Sequence, residues 1–174
     1  MNTETFPRQV LHTGRFLSLV REGHWEYAER TNATGAAIIL AVTAERMLLV
    51  VEQYRIPVHA RTLELPAGII GVEPGAQGEA HAEAARRELA EETGYWAEHI
   101  EPLTRGAASS GLASEIVTLF RATGLRRVGA GGGVDHEAIT VHEVPLDEVR
   151  AWLAAKSETG MLIDPKIYAG LYFC

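Results

Sequence analysis

The sequence predicts an α/β layered domain with a mixed sheet, flanking helices and a small antiparallel β extension at its N-terminal end. Three observations carry this expectation. Two continuous apolar runs, Ala36 to Val42 and Met47 to Val51, suit strands buried on both faces. Residues 79 to 93 lack Gly and Pro and consist mostly of Ala, Glu, Arg and Leu, which favour a helix, and Gly94 then closes it. Strand-like and helix-like segments follow one another along 174 residues, a length suited to one domain.

The elements follow in order. Phe16, Ser18 and Val20 alternate with Leu17, Leu19 and Arg21; after a turn at Glu22-Gly23, Trp25 and Tyr27 alternate with Glu26 and Ala28, so residues 15 to 29 read as a hairpin. Two short strands are not stable alone and must pack on something larger. The polar run Thr31 to Gly35 marks a soft boundary between an extension, residues 1–34, and the main domain, residues 35–174. The two apolar runs are joined by a turn at Thr43 to Arg46. Thr62 to Leu65 is a short strand stopped by Pro66, and the Gly- and Pro-rich stretch from Gly68 to Gly78 is expected to be a loop. Beyond the 79–93 helix, Ser114 to Ala122 and Ala138 to Val144 read as strands, separated in part by a flexible loop, Gly129 to Gly133. Leu146 to Lys156 reads as a helix with Leu146, Val149, Trp152 and Leu153 on one face. Asp164 followed by Pro165 caps a last helix, expected to turn Ile167, Leu171 and Tyr172 inward.

Composition narrows the function. A hydrophobic share of 47% against 22% charged residues provides a sizeable core. The formal charge of -7 makes a poor general binder of nucleic acid, whose affinity rests on phosphate neutralisation. It does not exclude a phosphate-bearing small molecule held by a few cations. No apolar stretch is long enough to span a membrane, and the opening MNTETFPRQV lacks an export pattern. The single cysteine, Cys174, excludes an internal disulfide and a Cys-cluster zinc site, and fits a reducing, cytoplasmic setting.

The most informative segment is Arg86-Arg87-Glu88-Leu89-Ala90-Glu91-Glu92-Thr93-Gly94-Tyr95. At about 100° per residue, Glu92 lies about 40° and Glu91 about 300° from Glu88, so three carboxylates crowd one narrow face. The same arithmetic puts Ala82, Ala85 and Leu89 about 60–120° away, so the acidic stripe borders the core-facing one. Like charges at this spacing repel. A divalent cation with a preference for hard oxygen ligands, Mg²⁺, Mn²⁺ or Ca²⁺, would compensate them. Taken alone, the pattern also fits a solvated acidic face.

This segment resembles the Nudix box of nucleoside-diphosphate-linked hydrolases: a Gly, five residues, a Glu, seven residues, then Arg-Glu-apolar-x-Glu-Glu-x-Gly-apolar. Glu79, the seven residues after it and Arg87 to Tyr95 match it throughout. The leading Gly departs, because Glu73 stands at its position. Gly68 is the nearest equivalent and leaves ten residues where the family has five. Val51 to Arg55, Leu63 to Gly68, Ser109 to Glu115, His136 to Val141 and Ile163 to Lys166 resemble the ADP-ribose pyrophosphatase branch. Together the similarity runs from about residue 14 to 173.

The resemblance implies a Nudix-type α/β/α sandwich, a homodimer with exchanged N-terminal strands as one arrangement, and Mg²⁺-dependent hydrolysis of ADP-ribose to AMP and ribose 5-phosphate, with Mn²⁺ as a substitute. It implies that Glu88 and Glu92 hold metal together with the carbonyl of Ala67, that Glu91 is a ligand or supports one, and that Arg87 orients Glu91. Glu79 is expected at the helix start rather than as a ligand. Glu137 or Asp135, after the glycine loop, would serve as general base, with Glu137 also a late metal ligand. Arg55 would hold substrate phosphate, Trp25 and Phe16 would stack the adenine, and Glu64, Gly111 and Glu115 would complete the substrate site. Two rivals stay open: another nucleotide sugar such as GDP-mannose, and a non-catalytic ADP-ribose sensor. The sensor reading predicts a degraded acid set, whereas Glu88, Glu91 and Glu92 are all present.

Overall fold

The computed structural model describes residues 6–71, 81–134 and 138–174. The chain begins with three antiparallel strands, β1 (Arg8–Thr13), β2 (Leu17–Glu22) and β3 (Trp25–Arg30), which form a sheet of their own. The hairpin expected at 15–29 is β2–β3, with Val20 opposite Tyr27. β1 was not expected, because every one of its residues is exposed and no buried alternation marks it.

Two four-stranded sheets follow. The chain runs through β4 (Gly35–Ala41), β5 (Met47–Arg55), β6 (Ala60–Glu64) and β7 (Ala67–Ile70), then α1 (His81–Thr93). It continues through β8 (Tyr95–Ala107), β9 (Ile116–Arg127), β10 (Thr140–Pro145), α2 (Val149–Glu158), β11 (Leu162–Ile163) and α3 (Pro165–Leu171). One sheet has the order β7-β4-β9-β8 and the other β10-β5-β6-β11. Both are mixed: β4 runs parallel to β9, and β6 parallel to β11. The two consecutive apolar runs therefore enter different sheets.

Their lack of polar alternation has a direct cause. Ala37, Ile39 and Ala41 of β4 join Leu49, Leu89, Ala84 and Ala85 in a core beneath α1. Ile38 and Leu40 turn the other way, into a second core with Leu48, Val50, Val149, Leu153 and Ile167. Side chains that alternate across a strand here meet apolar partners on both faces. The result is the expected α/β/α layering, with α1 on one side and α2 and α3 on the other.

The structure departs from the sequence reading at several points. Residues 68–70, placed in the Gly- and Pro-rich loop from Gly68 to Gly78, belong to β7, which pairs antiparallel with β4 from Gly35↔Ile70 to Ile38↔Ala67. The 13-residue β8 had no clear sequence signal; it pairs with β9 through an irregularity between Pro102 and Thr104. Tyr172 points outward, 82% exposed, whereas Ile167 is fully buried. Gly129 to Gly133 is a loop, as expected, but one hydrogen-bonded to the end of α1. The Gly132 N–H donates to the Glu92 carbonyl at 2.8 Å and the Gly133 N–H to the Glu91 carbonyl at 3.1 Å, which docks the segment on the C-terminal end of α1.

Candidate active site

The helix that the sequence predicts over 79–93, seen as α1 (His81–Thr93), is the local origin of the site. α1 packs Ala84, Ala85 and Leu89 against the sheet, and this fixes the rotation of its acidic edge. That edge borders a cleft of about 420 Å³ lined by Arg87, Glu88, Glu91 and Glu92. Further walls come from Ala67, Gly68 and Ile69 of β7, Gln53 and Arg55 of β5, Glu64 of β6, and Arg30 at the end of β3. Glu115, Val134 and Lys166 complete it.

Each acid has a fixed position. Glu92 is only 4% exposed, and one carboxylate oxygen accepts the Ala67 N–H at 2.9 Å. Arg87 stands between the other two, with Nη2 3.0 Å from Glu88 Oε1 and Nη1 3.1 Å from Glu91 Oε2. Glu88 lies against the backbone of Gly68, where any Cβ would overlap its carboxyl carbon. Only glycine lets β7 and the Glu88 side chain approach this closely.

The β5–β6 register builds the basic wall. Val51 pairs with Glu64 and Gln53 with Thr62, so Gln53, Arg55, Thr62 and Glu64 share a face. Arg55 donates from Nε and Nη2 to the two oxygens of Glu64, both at 2.7 Å, and the Thr62 hydroxyl donates to Glu64 at 2.5 Å. Burial alone would push the Glu64 carboxyl up; the hydrogen bonds from Arg55 and Thr62 outweigh it and hold the group below the usual carboxylate range. Arg30 pairs with Glu115 across the junction of the N-terminal sheet and β9. Lys166 bonds Asp164 at 2.5 Å beside the cleft.

The cleft therefore gathers Ala67, Glu88, Glu91, Glu92, Arg55, Glu64 and Glu115 of the expected residues. Trp25 and Phe16 are not among its lining residues. They are 51% and 54% exposed on the N-terminal sheet, Trp25 against His24 and Phe16 under Arg15. Gly111 is exposed in the turn closed by Leu112 N–H to Ser109 O, also away from the cleft. Glu79, Asp135 and Glu137 lie outside the described residues. Sequence reasoning missed Arg30 and Lys166 as cleft residues. The Asp164-Pro165 cap gave a hint, since it aims the first turn of α3, but nothing local marks Arg30.

The donor set suits a hard divalent cation: carboxylates one helical turn apart, facing a cleft that also carries cations for an anion. Among the described residues no three Asp, Glu, His or Cys side chains converge into an ion site. Arg87 stands between Glu88 and Glu91 as their counter-charge.

Comparison with known proteins agrees with this architecture. The NUDIX domain model matches residues 31–163, and the chain belongs to that family. Nudix hydrolases generally use divalent cations. The methanol dehydrogenase activator of Bacillus methanolicus is 33% identical over 160 residues, covering 88% of this chain and 84% of its own. The ADP-ribose pyrophosphatase of Bacillus subtilis is 32% identical over 155 residues, covering 85% and 81%. A solved structure described as an ADP compounds hydrolase superposes with a TM-score of 0.67 at 20% identity, over 86% of this chain and 82% of that one.

Proposed function

We propose that this Nudix hydrolase cleaves the diphosphate linkage of ADP-ribose, giving AMP and ribose 5-phosphate. The observation that carries the reading is the acidic edge of α1 opening onto the same cleft as Arg30, Arg55 and Lys166. A diphosphate needs both: carboxylates for cations and basic groups for the phosphate oxygens. The likeness to an ADP-ribose pyrophosphatase supports the choice of substrate.

Glu88, Glu92 and Glu91, with the carbonyl of Ala67 and Glu137, would hold Mg²⁺, with Mn²⁺ as a substitute. A bound divalent cation screens phosphate charge and lowers the pKa of water. The chain's own groups do the rest. Arg55 binds a phosphate oxygen in exchange for part of its contact with Glu64. Glu115 borders the bound substrate from the cleft wall, and Gly111, in the turn before it, contributes only if the substrate reaches beyond the cleft. Glu137 or Asp135 accepts the proton as water oxygen attacks one phosphorus, the bridging P–O bond breaks and the second phosphate leaves. Trp25 and Phe16, exposed on the N-terminal sheet, serve as adenine platforms for the cleft of a second copy within a homodimer, of which exchanged N-terminal strands are one arrangement. A cytoplasmic setting and no nucleic-acid partner belong to the same reading, supported by the single cysteine and the net charge of -7.

The test is a substrate panel of ADP-ribose, GDP-mannose, other nucleotide sugars and dinucleotides with Mg²⁺ and product detection. ADP-ribose is expected to be turned over fastest. Faster turnover of GDP-mannose would replace the substrate, and no turnover of any of them would favour the sensor reading.

A further inference from the structure

We infer that Gly131, Gly132 and Gly133 form a strap that sets the position of the α1 carboxylates, and that Gly131 is a positioning residue for hydrolysis. The last carbonyls of a helix have no partner within it. Here Val128 N–H and Gly129 N–H donate to the Gly94 carbonyl at 2.8 and 3.1 Å, Gly132 N–H to Glu92 O at 2.8 Å and Gly133 N–H to Glu91 O at 3.1 Å. Two of these carbonyls belong to the residues whose side chains line the cleft. The strap is fastened at its far end by Ile139 N–H to Gly132 O at 3.2 Å, and the chain meets the cleft at Val134.

The contact is backbone against backbone, and glycine is what permits it. A Cβ on Gly131 would collide with the Thr93 carbonyl carbon and the Glu92 oxygen, and one on Gly94 with the Gly129 carbonyl. Gly131, Gly132 and Gly133 all have positive φ, at 71°, 108° and 83°, a region that costs other residues strain. Positive φ at all three positions, with close approach at Gly131, accounts for the glycines. A displaced strap would release the ends of the Glu91 and Glu92 peptide units, and small misplacements of a site's groups are costly.

Three variants test this: Gly131→Ala, which forces the strap off; Gly132→Ala, milder because its Cβ meets only Ile139 O at 3.8 Å; and Gly129→Ala, whose Cβ meets nothing within 4 Å. Far-UV circular dichroism selects folded variants, and Gly132→Ala replaces Gly131→Ala if that one does not fold. Amide hydrogen exchange at residues 132 and 133 reads docking directly. Free-Mn²⁺ paramagnetic resonance reads the carboxylates without any substrate. In Gly131→Ala we expect protection at both amides to be lost and Mn²⁺ affinity to fall about tenfold or more. Turnover of ADP-ribose is expected to fall by up to about a hundredfold with KM changed far less. Gly129→Ala is expected to match the parent. Retained protection in Gly131→Ala, or lost protection with unchanged Mn²⁺ affinity and turnover, would overturn the inference. Only the kinetic arm rests on the pyrophosphatase reading. If the parent protein turned over none of the panel, that reading would fail while exchange and Mn²⁺ affinity still decided the strap.

Discussion

Glu64 shows how a single residue couples burial to charge. Its carboxylate is held by Arg55 and Thr62 and titrates below the ordinary range despite burial. A folded-state pKa below the unfolded value adds stability that is complete above the unfolded pKa and is lost as pH falls through the folded one. Melting temperature is therefore expected to decline on acidification below the ordinary glutamate range, and Glu64→Gln to flatten that acid limb; a limb of equal slope in the variant would refute the coupling. Gly68 gives a sharper case. Gly68→Ala would drive its methyl into Glu88, so Mn²⁺ affinity should drop about tenfold or more with secondary structure kept, as seen in paired binding and circular dichroism measurements. At this scale the acids were legible in the sequence, because helical periodicity alone puts Glu88, Glu91 and Glu92 on one edge. Arg30 and Lys166 were not, since they meet the cleft only through the docking of β3 and α3.

Elements explain which parts of the fold were readable. β4 and β5 announced themselves because both faces of each strand are covered by apolar groups. α1 did so through composition and a terminal glycine with φ of 75°. β8 did not, because Pro102, Gly106 and many exposed polar residues interrupt it. β7 carries Gly68, whose reason is close approach and not a turn. The rotation of α1, on which the acidic edge depends, is held by Leu89, fully buried between helix and sheet. Leu89→Ala is expected to cost about 2–5 kcal/mol in denaturant unfolding. A cost under about 1 kcal/mol, no more than a mild core truncation, would mean the helix is held elsewhere.

For the whole molecule, the N-terminal sheet is the part least explained by one chain. Leu17 and Leu19 share a face of β2, are both more than two-fifths exposed, and Val10 and Leu11 of β1 are also exposed. Apolar groups so placed are ordinary inside an interface and unusual outside one. Light scattering is expected to give about twice 18.9 kDa for the parent and a single-chain mass for the Leu17→Glu, Leu19→Glu double variant. A parent of single-chain mass would remove the dimer and the shared adenine platform with it. Elements alone do not say whether a second copy covers this sheet, because an exposed hairpin reads the same whether solvent or a second copy lies against it.

On the proposed reading, the acidic edge of α1 grips divalent cations against a bound diphosphate. The most direct measurement is anomalous scattering from crystals soaked with Mn²⁺ and a non-hydrolysable ADP-ribose analogue. Mn²⁺ peaks are expected at Glu88 and Glu92 with the diphosphate beside them. Analogue bound in the cleft with Mn²⁺ peaks elsewhere, or with none, would contradict it.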